Sequence, residues 1–273
     1  MLQYIRKYLV LYYACAVTPA LLFFAASAFG PGATSPLSPF VLVVTLVTLA
    51  TSSVAASHLF NNKAGKRFRE LLLILNDECD PVRFLDEGRT VAKGIKAPFN
   101  DWGSLFNASY AAAHIEVGDT GRAREVIDSM RISAEAAKKP VVAGRICLNM
   151  HEPIKLLYGH DFSIRCLDEA ESLIRQAPED PEFEHCIGFI QGERSLDVAE
   201  RDGDTDALLA LTDDILQNKR VYARAKVRAA FSKAEAYRKL GDREGERQWL
   251  AYVAENGNHL QAAATARARL AAF

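Results

Sequence analysis

Charge is missing from one long stretch of this chain: between Lys7 and Lys63 there is no Asp, Glu, Lys or Arg. A helix packed on a soluble core needs one wetted, polar face, so residues 8–62 cannot be an ordinary surface element. Cysteine is sparse: five residues, at 15, 79, 147, 166 and 186, with no Cys-x-x-Cys pair. That removes the usual zinc and dithiol motifs and, in a reducing compartment, leaves buried thiols as the default. The chain also lacks a His-Glu-x-x-His helix motif, a glycine-rich phosphate loop and a Gly-x-Ser-x-Gly elbow, so no common enzyme constellation is present. Runs of β-branched residues are scarce after residue 62, where Ala, Leu, Glu, Arg and Lys dominate, which favours helix over sheet. A strong basic balance is absent too. Residues 1–62 hold two basic and no acidic residues, leaving 31 basic against 34 acidic residues in the rest. No nucleic-acid footprint follows from that slightly acidic remainder.

What fills the charge-free stretch is two apolar runs, residues 8–29 and 40–60, around a Gly30-Pro31-Gly32 … Pro36-Leu37-Ser38-Pro39 connector. As helices these runs span roughly 33 and 31 Å, matching a hydrocarbon core of about 30 Å. Backbone groups find no water in lipid, so helices are the required form. Arg6 and Lys7 precede the first run, and Lys63, Lys66, Arg67 and Arg69 follow the second. The positive-inside rule puts both flanks, and hence both termini, in the cytoplasm. The second basic cluster is also placed to meet anionic lipid headgroups. A cleaved secretory signal is the competing reading, with Ala26-Ser27-Ala28 as its cleavage site. The first run is long for a signal core, and a second apolar run follows at once.

Thr48, Ser52 and Ala56 recur every four residues on the second span and make a small face for close helix packing. The first span offers two answering faces, Ala14-x3-Thr18 and Ala16-x3-Ala20, and a second copy of the chain is the alternative partner. Pro19 is expected to kink the first span. No ionisable group except His58 lies inside the spans, which argues against an ion or proton pathway.

Beyond the spans, helix is expected to run on to about Asp77, and Asp80-Pro81 to open another. Residues 88–98 read as a broken, basic segment. From Asn100 onward a pattern repeats: Gly118-Asp119, Gly159-His160-Asp161, Gly203-Asp204 and Gly241-Asp242 punctuate long helical stretches at spacings of 41, 44 and 38 residues. Gly closes one helix in the left-handed conformation, and Asp can cap the next. Four stacked helix pairs are predicted, with residues 260–272 as the cap over the open end. In that cap Leu260, Ala264 and Leu270 are expected inward and Arg267 and Arg269 in solvent.

At these residues the chain resembles the tetratricopeptide-repeat superfamily. Ala234-x2-Tyr237-x3-Gly241-Asp242, followed by Leu250 and Val253, matches the family's small residue, aromatic residue and turn glycine. Ala111-x6-Gly118-Asp119-x3-Ala123-x3-Ile127 adds the second-helix alanine, and Leu196-x2-Ala199-x3-Gly203-Asp204 keeps the turn. The pair around Gly159 departs, with Pro153 inside its first helix and the small positions lost, and Glu246 replaces a second-helix alanine. The resemblance implies a groove lined by the first helix of each pair. Carried over residue by residue, its lining is Ala108, Ser109 and Ala112, then Asn149, then Glu193, Arg194 and Asp197, then Arg228, Ser232 and Glu235. This mixed-sign lining lacks the basic clamp that some members use for a peptide carboxylate.

Other polar residues are expected to serve structure. Cys147 and His151, four apart, with His185-Cys186, are the nearest approach to a metal set, but core packing is their expected role, as it is for His114. His160-Asp161 reads as turn and cap chemistry.

The expected molecule is all-α: a two-helix transmembrane hairpin (residues 1–62), a juxtamembrane helix and linker (63–99), and a tetratricopeptide-like α-solenoid of about four hairpins (100–273). Its expected role is that of a bacterial-type scaffold in the inner or plasma membrane, binding a protein or peptide at the cytoplasmic face without cofactor or catalysis. The alternative is a non-catalytic subunit docked into a membrane complex through its hairpin.

Overall fold

The computed structural model describes residues 6–29, 39–95 and 99–273, and among them there are twelve α-helices and no strand. The uncharged connector, residues 30–38, and Lys96 and Pro98 of the expected break lie outside the described residues. The chain divides into two compact units, Met1–Glu70 and Leu71–Phe273.

The first unit holds α1 (Arg6–Phe29) and most of α2 (Pro39–Asn76), and α1 continues through Pro19. Both are long and apolar enough to cross a membrane, and only 11% of each apolar window is buried. The small residues account for what burial there is. Ala16 and Ala20 of α1 and Ala56 and Phe60 of α2 are each below 6% exposed. The Ser52 hydroxyl donates to the Ala16 carbonyl at 2.6 Å. Of the two faces offered by α1, Ala16/Ala20 is the buried one and Ala14/Thr18 is exposed. Thr48, like Ser52, is partly covered, and its hydroxyl returns to the Val44 carbonyl at 2.8 Å. Tyr8, Leu9 and Tyr12 pack around Phe60. Lys63, Lys66 and Arg69 are exposed and Arg67 half-buried. Lys63 lies over the Phe60 ring, and Glu70 stands 4.0 Å from Lys66 and 3.7 Å from Arg67.

The second unit begins in the last turns of α2. Asp80 caps α3 (Pro81–Gly94), accepting from the Arg83 amide at 3.0 Å. The helix runs straight through Gly88, where the sequence suggests a break. Gly88 has a packing reason instead: an added Cβ would stand 3.1 Å from the Phe106 ring. Four pairs follow: α4 (Asp101–Glu116) with α5 (Thr120–Glu135), α6 (Pro140–Tyr158) with α7 (His160–Ile174), α8 (Phe183–Asp202) with α9 (Thr205–Gln217), and α10 (Ala223–Leu240) with α11 (Arg243–Asn256). A last helix, α12 (Gln261–Leu270), packs on α11 and α10. Each second helix also packs on the first helix of the following pair.

Gly118, Gly159, Gly203 and Gly241 all take positive φ, between 70° and 92°. After three of them the aspartate caps as expected: Asp119, Asp204 and Asp242 accept from the amides of Arg122, Ala207 and Gly245 at 3.1, 3.1 and 2.9 Å. Such a cap contributes about 1 kcal/mol. After Gly159 the register differs. His160 intervenes, Gly159 itself is the uncapped N-cap, and Asp161 falls inside the first turn.

The second pair also recovers the close approach that its sequence appeared to have lost. The small residue is Gly144, whose added Cβ would stand 2.7 Å from Ile174 Cγ1 and 3.0 Å from the Ala170 carbonyl. Glu246, in place of an alanine, is 8% exposed and pairs with Arg269. Arg269 is therefore not simply solvated: it bridges Glu235 and Glu246. The inward face of α12 is shifted as well. Ala263 and Ala266 are fully buried beside Leu260, while Ala264 is exposed. Leu260 is the residue before the helix, so the helical register starts one residue later than the pattern suggested.

The end of the second unit returns to its beginning. The His259 amide donates to the Cys79 carbonyl at 3.2 Å, and Asn258 Nδ2 donates to the Glu78 carbonyl at 2.8 Å. Cys79 shares one buried cluster with Val227, Leu250, Val253 and Leu260. Apolar burial therefore joins the last pair to the α2–α3 junction.

Candidate functional site

The first helices α4, α6, α8 and α10 carry the residues that the sequence placed in a groove. The structure occupies every one of the seven polar groove residues with a partner inside the chain. Asn149 Nδ2 donates to Ser104 Oγ at 2.9 Å. Glu193 Oε2 lies 3.3 Å from His151 Nε2. Arg194 pairs with Glu171 at 2.5 Å and Asp168 at 2.9 Å. Asp197 is fully buried, with Lys155 Nζ at 2.7 Å. Arg228 pairs with Glu152 and lies 3.4 Å from Glu116. Ser232 donates to Glu200 at 2.5 Å, and Glu235 takes Arg238 and Arg269. At the other end, Ala108, Ser109 and Ala112 are at or below 6% exposed, so they pack rather than line a surface.

Five of these residues form a polar seam between the first helices, while Arg194 turns to α7 and Glu235 to Arg238 on its own helix and Arg269 on α12. The strongest node of the seam is Glu152 on α6. Both carboxylate oxygens accept from Arg224, at 2.8 and 2.9 Å, and Arg228 reaches the same group. Arg224 also donates to Asn76 Oδ1 at 3.1 Å. Burial opposes ionisation of Glu152, but the Arg224 and Arg228 guanidinium groups outweigh it and hold its carboxyl well below the usual carboxylate range. The two arginines sit four apart on α10, so one helical face presents both forks to one carboxylate.

The second node joins α6, α7 and α8. His160 Nδ1, Asp197 and Glu200 bring one ligand-capable atom each within 4.8 Å of one another. Lys155 Nζ stands between the carboxylates, 2.7 Å from Asp197 and 2.5 Å from Glu200. The Lys155–Asp197 approach is poorly aligned for a hydrogen bond, so it acts as a Coulombic contact. Burial disfavours the Lys155 ammonium, but Glu200 and Asp197 hold its pKa above the ordinary lysine value. Burial disfavours the Asp197 carboxylate likewise, and Lys155 holds it below the ordinary value. An internal ammonium thus takes the place a cation would need.

The sequence singled out neither Lys155, Glu200, Glu152 nor Arg224. The available signals were spacings: Asp197 and Glu200 three apart, Arg224 and Arg228 four apart, each pair on one helical face. His160 turns to Asp197 at 3.5 Å, while its neighbour Asp161 meets Arg201 at 3.4 Å, so the two form no dyad. His151 is engaged by the Leu148 carbonyl at 2.6 Å and by Glu193, and Cys147 is buried with its thiol pushed up to about 12 by burial. Cys166 Sγ donates to the Cys147 carbonyl at 3.1 Å. Such a protonated, covered thiol is a poor nucleophile.

Two exposed aromatic residues stand apart from the seam. Tyr158, which ends α6, and Phe162 on α7 have ring centroids 5.7 Å apart, and Arg165 lies 4.4 Å from the Phe162 centroid. Set against protein-family models, curated proteins and solved structures, the chain matches none.

Proposed function

We propose that this chain is a membrane-anchored helical scaffold that binds a protein or peptide at the cytoplasmic face of the membrane. The observation that carries this reading is the division of labour between the units. One holds two apolar helices, uncharged over residues 8–62, with most of their apolar surface uncovered; the other is a separately packed all-helical unit. Apolar surface on that scale is compatible with lipid and costly in water. Anchoring the second unit raises the effective concentration of a partner at the membrane. The groove that the resemblance implies is occupied by internal ion pairs, so recognition falls to the outer surface, where Tyr158 and Phe162 are 41% and 50% exposed.

The alternative, a subunit docked through its hairpin, rests on the Thr48/Ser52/Ala56 face. Ser52 and Ala56 of that face are engaged by α1 within the hairpin, which favours the scaffold reading. Photo-crosslinking of the full chain in cells separates the two. A photoreactive residue at Phe162 should capture a partner, whereas one at the exposed span position Leu22 should capture none. Capture from Leu22 alone would transfer the weight to the membrane-complex reading. Protease added outside inverted vesicles should remove the second unit; its survival there would refute the cytoplasmic orientation.

A further inference from the structure

A cavity of about 710 Å³ lies over α4, between α3 and α5. Its floor is one face of α4: Asn107, Tyr110 and His114, spaced three and four apart. Phe99 and Ile95 close one side, and Arg89 and Lys93 of α3 stand at the rim. The volume lies within the range of about 300–1,000 Å³ usual for small-molecule sites.

Two features distinguish it from a packing gap. The first is its polar floor. Asn107 is 6% exposed and Tyr110 9%, and both line the cavity. The buried His114 Nε2 has no hydrogen-bond partner among the described residues. His114 Nδ1 stands 3.1 Å from Asp119 but out of line for a hydrogen bond. A buried imidazole nitrogen without a partner is costly unless something in the cavity meets it, and the Asn107 amide and Tyr110 phenol line the same cavity.

The second feature is its charge. Asp119 is taken up by capping α5 and facing His114, and Glu125 is paired with Arg122. Arg89 and Lys93 carry no ion pair among the described residues. Four apart on α3, they repel one another, a cost that a bound anion removes. The unbalanced charge of the cavity is therefore positive.

We infer that this cavity binds a small organic oxyanion, its phosphate or carboxylate held by Arg89 and Lys93 and its polar body hydrogen-bonded to Asn107, Tyr110 and His114. An arginine fork can take two oxyanion oxygens at once, with the lysine as a mobile second charge. The inference is independent of the scaffold reading, because it rests on α3, α4 and α5 alone.

Calorimetric titration of the full chain in uncharged detergent tests it, with sn-glycerol 3-phosphate as probe and phosphatidylglycerol added to the micelle in a second arm. Saturable binding of glycerol 3-phosphate, weakened at least about tenfold by Arg89→Gln with Lys93→Gln, is the expected result for a soluble ligand. Binding that appears only with phosphatidylglycerol and is lost in the same variant assigns the site to a lipid headgroup. Asn107→Leu should weaken either binding about tenfold, which a purely surface charge effect would not produce. No saturable heat in either arm, or binding unchanged in the Arg89/Lys93 variant, overturns the inference. Both of those residues are exposed, so their variant keeps the fold.

Discussion

Gly144 and Gly192 are both interior helical glycines, and replacing each with alanine should move stability in opposite directions. Alanine is favoured over glycine in a helix by about 0.8–1.0 kcal/mol. At Gly192 an added Cβ meets nothing within 4 Å, so Gly192→Ala should collect most of that gain. At Gly144 the Cβ would stand 2.7 Å from Ile174 Cγ1, 3.0 Å from the Ala170 carbonyl and 3.2 Å from Leu173 Cβ. Ile174 can shift a methylene, but the Ala170 oxygen belongs to a helix backbone and cannot yield alone. Overpacking of this kind costs about 1–3 kcal/mol. The net expectation for Gly144→Ala is a loss of about 0.5–2 kcal/mol after the propensity gain is subtracted. For a domain of this size each kcal/mol moves the midpoint by about 2–4 °C. Helical circular dichroism of the full chain in detergent should therefore show the Gly192→Ala midpoint rising by about 2–4 °C and the Gly144→Ala midpoint falling by about 1–8 °C. A Gly144→Ala protein as stable as the Gly192→Ala protein would refute the close crossing of α6 and α7.

Three further outcomes are expected from the polar seam. Glu152→Ala strands Arg224, which is 8% exposed, and should cost about 2–4 kcal/mol, less than a fully buried pair because Glu152 and Arg228 keep some solvent contact; denaturant titration monitored by circular dichroism checks it, and a loss under about 1 kcal/mol would count against the node. Glu246→Ala restores the residue implied by the repeat resemblance, yet it should destabilise by about 1–2 kcal/mol because Arg269 loses one of its two carboxylates; an unchanged melting temperature would show the pair to be idle. Glu152 and Asp197 both have lowered pKa values, so their stabilisation is fully present above the ordinary carboxylate values of 4.5 and 3.8 and is lost as pH falls through the depressed ones. Melting temperature should accordingly decline below about pH 4.5, and Glu152→Gln should flatten that decline; an unchanged slope in the variant would argue against the assignment.

Much of this architecture was legible because it depends on local chemistry. A 55-residue stretch without charge marks the apolar helix pair whatever else the chain does. Glycine at 118, 159, 203 and 241 marks the turns because a left-handed residue is cheap for glycine and strained for others. Asp119, Asp204 and Asp242 cap because each precedes its helix by one residue, and Asp161, displaced by His160, does not. The small face on α2 was visible from its period of four, but its partner was not: Ala14/Thr18 and Ala16/Ala20 are equally small, and helix rotation chose between them.

The groove marks the limit of that reading. A first-helix position can be assigned from spacing, but its solvent exposure depends on how far neighbouring first helices stand apart. Here long side chains from α6, α8 and α10 reach across to one another, and Asp197 ends fully buried under Lys155. The partners lie 32 to 112 residues apart in sequence, so no local pattern pairs Glu152 with Arg224 or Glu116 with Arg228. Gly144 is similar, since its role is defined by Ile174 and Ala170 on another helix. The sequence by itself determined most of the helical segments, where the pairs turn and which stretch is apolar enough for a membrane, because those follow from backbone conformation and from period, although it missed that α3 runs on through Gly88. Only the tertiary structure decided which polar residues are satisfied inside and which, like Asn107, Tyr110 and Arg89, are left facing a cavity, because charge and hydrogen-bond balance are settled between residues far apart in the chain.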